Sequence, residues 1–309
     1  MADLRIPTPP AQPLPLAEPR TLGSQENVFP LSLGCWRLTG PDDNNRRLIN
    51  TALDHGITLI DNADVYGLDW GGTHFGACEE ALGRVFASEH GIRDRIILAT
   101  KVGIVPGTPY NSSYEYIVSA CEASLQRMNV EYVDLLQIHR PDVLSHPEEV
   151  ATALESLKQR GLVRDCGVSN YSPSQTLALN AFMNDGLVST QPEFSALHLD
   201  PMRDGTFDLC MEAGLTPLAW SPLAGGRLAN GDSVPPALLE VLDALAQREE
   251  VSRATIALAF VLAHPSAPIA IIGTQRPERI PELVSATTVT LSRSDVYSII
   301  EASDGVPLP

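Results

Sequence analysis

The feature that most constrains the fold of this chain is a regular alternation of short apolar strands with amphipathic helices, which begins near residue 28. Most strand candidates are continuous apolar runs rich in β-branched residues, the pattern of strands that are covered on both faces. Such alternation predicts parallel strands joined by right-handed crossovers. The eight strand candidates are Phe29–Leu33, Thr58–Ile60, Ile96–Ala99, Val133–Ile138, Val163–Val168, Val188–Thr190, Thr216–Ala219 and Ile269–Ile272.

The segments between these strands carry apolar residues at helical spacing. Leu48, Ile49 and Ala52, for example, share one face of the first predicted helix. Ser172-Pro173 is typical of a helix start, with an N-cap followed by proline at the first helical position. Gly161 is predicted to end a helix, as a glycine placed just beyond its last residue.

Eight strand–helix units predict an α/β protein with a single closed (β/α)8 TIM barrel. The alternative is an open, doubly wound sheet, but no G-x-G-x-x-G follows the first strand, as a dinucleotide site of that type requires. Six of the first 20 residues are prolines, so residues 1–20 are predicted to form an extended, proline-rich arm. No change of composition divides the rest, and residues 21–309 are predicted to form the barrel.

The chain is acidic, with 21 lysine and arginine residues against 38 aspartate and glutamate residues and a formal net charge of -17. This charge repels nucleic acid and anionic membranes, so neither is expected as a partner. No apolar run reaches the roughly 20 residues of a transmembrane helix, and the N-terminus lacks the apolar core of a signal peptide. The five cysteines lie in apolar runs, which is typical of reduced core residues in a cytoplasmic protein.

Four ionisable side chains lie at or just after the ends of three predicted strands. Asp61 ends the second strand, and Tyr66 follows it in the next loop. Lys101 ends the third strand, and His139 ends the fourth. Each of them alone has an ordinary explanation in packing or in a turn. Because the carboxyl ends of barrel strands meet at one mouth, we expect all four to converge there.

This combination of side chains is suited to protonating an oxygen atom that gains negative charge. A tyrosine has a pKa near 10 and is a poor acid at neutral pH, but a neighbouring ammonium stabilises its phenolate and lowers that pKa. A carboxylate keeps the lysine charged and oriented, and a neutral histidine hydrogen-bonds a carbonyl oxygen. The set contains no nucleophile and no metal site, so the electrons must come from elsewhere, and a nicotinamide hydride is the natural donor.

Further polar and aromatic residues lie at the ends of the later strands. Ser169, Asn170 and Gln191 carry hydroxyl and amide groups, which suit a carboxamide because it needs both donors and acceptors. Trp220 offers a flat face for a nicotinamide ring. Turn formation or packing would equally account for each of these residues alone.

In these motifs the chain resembles the aldo-keto reductases, NAD(P)H-dependent oxidoreductases on a (β/α)8 barrel, over roughly residues 28–300. The family's Asp-x-Ala-x-x-Tyr-Gly signature stands at Asp61–Gly67. A bacterial subgroup with His-Arg-Pro-Asp and Gly-Gly-Arg-Leu motifs is especially similar, and these motifs stand at His139–Asp142 and Gly225–Leu228. The other matching motifs are Glu79–Gly83, Ala99–Lys101, Asp134–Pro141, Gly167–Asn170, Gln191–Ser195 and Trp220–Leu223.

The resemblance implies a role for each residue at the strand ends. It makes Tyr66 the general acid, tuned by Lys101 and Asp61, and it makes His139 the residue that orients the carbonyl. It assigns Ser169, Asn170 and Gln191 to the nicotinamide amide and Trp220 to the ring face. A segment after the seventh strand is implied to wrap the pyrophosphate, through Ser221, Pro222, Leu223, Gly225, Gly226, Arg227 and Leu228.

The chain departs from the family pattern at two places. Asn62 replaces the usual threonine after the aspartate, with little effect expected because the chemistry needs the carboxylate and the phenol. Many members grip the adenosine 2′-phosphate with a lysine and a serine after the last strand, where this chain has Gly273, Thr274, Gln275 and Arg276, with Arg279 nearby. Arginine suits a 2′-phosphate, so NADPH is favoured over NADH.

The substrate is expected to be a small carbonyl compound. Trp36 and Trp70 are predicted to line the pocket, where two tryptophans suit flat or apolar substrates. Only a few residues follow the last helix, so we expect an open mouth and broad specificity. The sequence predicts no oligomeric state.

Three alternative functions are consistent with parts of the same pattern. The first is a binding module that holds NADP(H) as a redox sensor, which has no need of the intact four-residue set. The second is an NAD-dependent sugar or polyol dehydrogenase on the same barrel. The third is a hydrolase using Ser169 or Ser221, but the chain lacks a G-x-S-x-G elbow.

Overall fold

The computed structural model describes residues 13–68 and 71–308, and within them eight parallel strands close into a barrel. The predicted (β/α)8 fold is therefore confirmed. The strands of the described residues are β1 (Arg20–Leu22), β2 (Gln25–Val28), β3 (Leu31–Gly34), β4 (Leu59–Asp61), β5 (Ile97–Val102), β6 (Val133–Ile138), β7 (Val163–Ser169), β8 (Ser189–Gln191), β9 (Thr216–Ala219) and β10 (Ile269–Ile272). The barrel runs from β3 to β10 in chain order, and β10 closes it by pairing with β3.

Helices cover the outside of this barrel. A large apolar cluster fills the layer between strands and helices, and a second, smaller cluster fills the barrel interior. The helices are α1 (Asp42–Asp54), α2 (Ala77–Ser88), α3 (Tyr114–Met128), α4 (Pro147–Gln159), α5 (Pro173–Asn180), α6 (Thr206–Ala213), α7 (Arg227–Asn230), α8 (Pro236–Glu249), α9 (Arg253–Leu262), α10 (Ile280–Val284) and α11 (Arg293–Asp304). None of the helices in the described ranges is long and apolar enough to span a membrane.

Several local signals in the sequence act where they were expected. Ser172 caps α5 in a reciprocal capping box with Gln175, and Pro173 occupies its first position. Gly161 follows the end of α4 with a φ of 73°, in the left-handed region that glycine favours. All five cysteines are buried free thiols.

The antiparallel hairpin of β1 and β2 was not predicted from the sequence. Its buried residues Leu22 and Val28 belong to the apolar cluster of the barrel interior, so the hairpin covers the amino-terminal end of the barrel. Ser24, in its turn, donates backbone and side-chain hydrogen bonds to Asp165 at the start of β7. The polar run Gln25-Glu26-Asn27 has no strand-like alternation of apolar residues, so β2 could not be predicted from the sequence.

The proline-rich arm is only partly described. Residues 1–12 lie outside the described residues, and residues 13–19 have no regular secondary structure. Leu14 donates a backbone hydrogen bond to Leu291, and Leu16 is buried in the outer apolar cluster. Arg20, which was placed at the end of the arm, belongs to β1.

Gly83 lets α2 and α3 approach closely. A Cβ atom at this position would lie 2.4 Å from the backbone oxygen of Arg127, a distance at which the two helices must move apart. This contact explains the glycine of the Glu79–Gly83 motif, because no other residue leaves room for the neighbouring backbone.

We expect Gly83→Ala to destabilise the protein by about 1 to 3 kcal/mol, because overpacking outweighs the better helix propensity of alanine. Denaturant unfolding measures the change. Ala87→Leu, which enlarges an exposed residue on the same helix, is the control and should stay within about 0.5 kcal/mol of the parent. A Gly83→Ala protein more stable than the parent would contradict this account of the motif.

Candidate active site

The four ionisable residues predicted from the sequence lie together at the mouth of the barrel. Asp61 is the last residue of β4, Lys101 lies in β5, and His139 directly follows β6. Because these strands are parallel neighbours, their carboxyl ends bring the side chains to one edge of the sheet. Tyr66 reaches the same place from the loop after β4.

The Lys101 ammonium is the centre of this cluster. The side chain is fully buried, and its Nζ donates to Asp61 Oδ2 at 2.7 Å, to the Asn62 carbonyl at 2.9 Å and to Tyr66 Oη at 3.2 Å. All three protons of the ammonium therefore have acceptors, as a buried charge requires. Asn62, the departure from the family pattern, takes part through its backbone only.

The Asp61 carboxylate is held by two amides in addition to Lys101. Its Oδ1 accepts from Gln191 Nε2 at 2.9 Å and from Gln137 Nε2 at 3.4 Å. The side-chain nitrogen of Gln191, predicted to hold a nicotinamide amide, is thus engaged with Asp61. Gln137 was not predicted as a site residue, although a polar side chain in the apolar strand Val133–Ile138 was a signal for it.

Two aromatic rings stand above this buried network. Tyr66 and His139 meet edge to face, with ring centroids 5.7 Å apart. Two backbone hydrogen bonds hold the loop that carries Tyr66: Asp64 donates to the Lys101 carbonyl at 3.0 Å, and Cys78 of α2 donates to the Tyr66 carbonyl at 3.3 Å. The Tyr66 hydroxyl is consequently fixed between a cation and an imidazole.

The pKa of Tyr66 is raised above its ordinary value, whereas the sequence led us to expect a lowered one. Burial raises this pKa, and the Lys101 ammonium offsets only part of the effect. For Lys101, burial lowers the pKa, but the neighbouring Asp61 carboxylate more than compensates and raises it. At neutral pH the pair is therefore a protonated phenol beside a charged ammonium.

His139 is a neutral imidazole in this environment. Burial lowers its pKa well below the ordinary value, and the positive charges of Lys101 and Arg140 lower it further. Its Nδ1 is buried and has no hydrogen-bond partner among the residues that the structure describes. Its backbone carbonyl accepts from the side-chain amide of Asn170 at 3.1 Å, which ties it to β7.

A second buried network supports the cluster from the helix side. Glu79 of α2 accepts from Thr100 Oγ1 at 2.6 Å and from Arg127 Nε at 2.7 Å. Thr100 precedes Lys101 on β5, so the Glu79–Arg127 ion pair and the Thr100 hydrogen bond together connect that strand to α2 and α3. Asp64 is buried nearby, and burial together with the Glu79 charge raises the pKa of its carboxyl well above the ordinary value.

The residues predicted to hold the nicotinamide form a connected chain beside His139. Ser169 Oγ donates to the Gln191 carbonyl at 2.9 Å and accepts from Asn170 Nδ2 at 2.9 Å. Asn170 Oδ1 in turn accepts from Trp220 Nε1 at 3.1 Å. The structure thus brings all four together, and their role toward a cofactor stays a prediction.

The segment predicted to wrap a pyrophosphate has an unusual backbone. Ser221, Ala224, Gly225 and Gly226 have φ values of 54°, 50°, 69° and 102°, all in the left-handed region. Ser221 Oγ accepts from the Gly225 backbone at 2.9 Å, which tightens the turn. Of the other residues in this predicted set, Pro222 and Leu228 are buried, Leu223 packs against the core, and Arg227 is exposed.

The segment after β10 was predicted to contact an adenosine phosphate. Gly273, Thr274 and Gln275 form a loop whose Gln275 carbonyl accepts from Asn44 of α1 at 3.2 Å. Arg276 and Arg279 are exposed, and their guanidinium groups have no acceptor among residues 13–68 and 71–308. Both cations are thus available to a ligand.

Of the two tryptophans predicted to line a substrate pocket, the structure describes one. Trp36 follows β3 and is 40% exposed, with the Arg37 guanidinium 5.1 Å from the centre of its ring. Trp70 lies outside the described residues. The pocket assignment of both remains a prediction.

Comparisons with known proteins identify relatives along nearly the whole chain. The Aldo/keto reductase family profile matches residues 30–304. A 6-dehydroglucose reductase of Novosphingobium aromaticivorans is 44% identical and covers 96% of this chain and 99% of its own length. Another 6-dehydroglucose reductase, of Agrobacterium fabrum, is 33% identical over 88% of this chain and 93% of its own. A crystal structure of a thermostable aldo-keto reductase with the inhibitor epalrestat superposes with a TM-score of 0.80 at 27% identity, covering 92% of this chain and 98% of that one.

We expect the His139 imidazole to stay neutral as the pH falls through about 6.5, where an ordinary histidine gains its proton. Imidazole resonances in NMR spectra measure this, with His139→Gln for assignment. Lys101→Met, which removes one of the neighbouring charges, should raise the pKa of His139. A titration of His139 at an ordinary pH in the parent protein would contradict this description of the site.

Proposed function

The chain belongs to the aldo/keto reductase family and is an oxidoreductase acting on carbonyl substrates, and from this premise we propose that it reduces sugar-derived aldehydes to alcohols with NADPH. One observation carries the proposal. The Tyr66 hydroxyl lies 3.2 Å from the Lys101 ammonium at an accessible mouth, so it can give its proton to an oxygen atom and remain stabilised as a phenolate.

The roles of the four residues follow from their charges. Tyr66 is the proton donor, and its raised pKa keeps it protonated at neutral pH. Lys101 stabilises the negative charge that is left on the phenolic oxygen after the transfer. Asp61 positions Lys101 and does not touch the substrate. His139, neutral and edge-on to Tyr66, orients the carbonyl oxygen between the two rings.

The described residues fit a nicotinamide cofactor. The left-handed turn through Ala224, Gly225 and Gly226 leaves open space at both glycines, a concave backbone of the kind that binds phosphate groups. Ser169 and Asn170 offer hydroxyl and amide groups to a carboxamide, and Trp220 offers a ring face. Gln191 keeps only its side-chain oxygen for this purpose, since its nitrogen is bonded to Asp61. The bound cofactor supplies the hydride that the protein side chains lack.

NADPH rather than NADH is proposed because of the loop after β10. Arg276 and Arg279 are exposed cations without acceptors of their own among the described residues, in a chain whose formal net charge is -17. Thr274, whose hydroxyl binds within its own loop, lies beside them. Two guanidinium groups and a hydroxyl suit the charge and the acceptor oxygens of a 2′-phosphate.

A sugar-derived aldehyde is proposed as the substrate class because both relatives described above are named 6-dehydroglucose reductases. The structure is compatible with such a compound. Trp36 presents a partly exposed ring at the mouth, and aromatic rings pack against the apolar face of a sugar as well as against flat apolar compounds.

Tyr66→Phe should lower kcat for aldehyde reduction by at least about 100-fold, because the general acid is lost. The loss of NADPH absorbance with 6-dehydroglucose and with 4-nitrobenzaldehyde measures turnover, and a fluorescence titration measures cofactor binding. Cofactor affinity should stay within a few-fold of the parent, since Tyr66 is proposed as the general acid and is not among the residues predicted to bind the cofactor. Undiminished reduction by the variant would refute the role of Tyr66, and cofactor binding without any turnover by the parent would favour a sensor.

Arg279→Ala and Arg276→Ala should each weaken NADPH binding by roughly 10- to 100-fold, the usual loss for a charge-assisted hydrogen bond to phosphate. NADH binding should not change, because NADH has no 2′-phosphate. Arg95→Ala removes an exposed arginine at the opposite end of the barrel and is the matched control. If neither variant alters NADPH affinity, the 2′-phosphate assignment is wrong, and an NAD-dependent dehydrogenase becomes the better description.

A further inference from the structure

The His139–Asp142 motif contributes more to the mouth than the imidazole alone. Asp142 links two loops of the rim: its Oδ2 accepts from the backbone of Ser112, in the loop after β5, at 2.9 Å and from Ser145 Oγ at 2.8 Å. Its Oδ1 accepts from the Leu144 backbone at 3.0 Å. This part of the rim is therefore a fixed structure.

Arg140 is held at this rim from both sides. The preceding residue is bound through its backbone, since His139 donates to the Val102 carbonyl at 2.9 Å and accepts from Asn170 at 3.1 Å. The following residue is Pro141, whose ring restricts its own φ and the conformation of the residue before it. The backbone of Arg140 is thus fixed next to the residue that faces the carbonyl.

Arg140 is a half-buried residue whose guanidinium has no acceptor among the described residues. Within residues 13–68 and 71–308 no carboxylate, carbonyl or hydroxyl accepts a hydrogen bond from it, and no aromatic ring lies beneath it. Other arginines that are at least partly buried do have acceptors. Arg20 binds backbone carbonyls, and Arg93 and Arg127 bind the buried carboxylates of Asp134 and Glu79.

A guanidinium on a half-buried residue gains no hydrogen bond from the protein when no acceptor lies within reach, so nothing in the fold offsets any hydration that it gives up. The positive charge of Arg140 acts on the site, because it helps to lower the pKa of His139. The acceptor that is missing from the protein can therefore be supplied by a molecule bound at the mouth.

We propose that Arg140 determines substrate specificity, by binding an oxygen substituent on the carbon chain of the substrate next to the carbonyl group that His139 orients. This inference rests on the proposed aldehyde reduction and adds a requirement to it. A guanidinium has five N–H donors and no acceptor, so it binds groups that accept hydrogen bonds, such as oxygen atoms. An alkyl chain offers no acceptor and leaves these donors without a partner. Hydroxyl groups and oxyanions share this chemistry.

The test compares three aldehydes of the same carbon skeleton: propanal, glyceraldehyde and glyceraldehyde 3-phosphate. In the parent protein, kcat/KM should be higher for the two oxygenated compounds than for propanal. Arg140→Leu should lower kcat/KM for the oxygenated compounds by about 10- to 100-fold, mainly through KM, and should leave propanal within a few-fold. Arg140→Lys keeps the charge and should retain part of the preference.

Arg95→Leu is the matched control, because it makes the same change of charge and size at an exposed site on the opposite end of the barrel. Cofactor affinity and thermal unfolding of each variant show whether the site is intact. If Arg140→Leu lowers kcat/KM for glyceraldehyde and for glyceraldehyde 3-phosphate but not for propanal, Arg140 recognises hydroxyl groups. If kcat/KM falls only for glyceraldehyde 3-phosphate, Arg140 recognises an oxyanion. If Arg140→Leu lowers kcat/KM equally for propanal, or does not lower it for any of the three compounds, the inference is overturned. A parent protein that reduces none of the three aldehydes contradicts the proposed function itself.

Discussion

The buried ion pair between Lys101 and Asp61 is the interaction on which the rest of the site depends. Removing two charges from water is costly, and the cost is recovered only when every donor and acceptor is satisfied. Here the partners come from four strands and one loop. Gln137 and Gln191 donate hydrogen bonds to the Asp61 carboxylate, and the Tyr66 hydroxyl accepts one from the Lys101 ammonium. The network forms only when the barrel is closed, so folding and the assembly of the acid are a single event.

The sequence predicted those parts of the molecule whose positions follow from a general rule. Strand–helix alternation predicted the barrel, and the rule that strand ends share one mouth predicted that Asp61, Lys101 and His139 converge. Both rules depend on topology and not on distances. The strand Val133–Ile138 was located to the residue because it is a long apolar run between clear boundaries.

The sequence did not predict features that depend on burial or on pairs that are far apart in the chain. Glu79 and Arg127 are 48 positions apart, and nothing in their spacing indicates an ion pair. The direction of the Tyr66 pKa shift depends on how far burial outweighs one nearby charge, which only the packed structure gives. The β1–β2 hairpin was missed because its strands have three and four residues, and β2 is largely polar.

The burial of the ion pair also constrains how a protein of this kind can change over evolutionary time. Loss of Lys101 or Asp61 alone leaves an uncompensated buried charge, which typically costs about 3 to 5 kcal/mol of stability. Tyr66 lies at the partly exposed rim, and loss of its hydroxyl leaves the two opposite charges paired and removes only one hydrogen bond of the ammonium, a smaller penalty. Proteins of this fold that lose catalytic activity during evolution are therefore expected to lose the tyrosine first. Those that still carry the lysine and the aspartate would identify the position of the former active site.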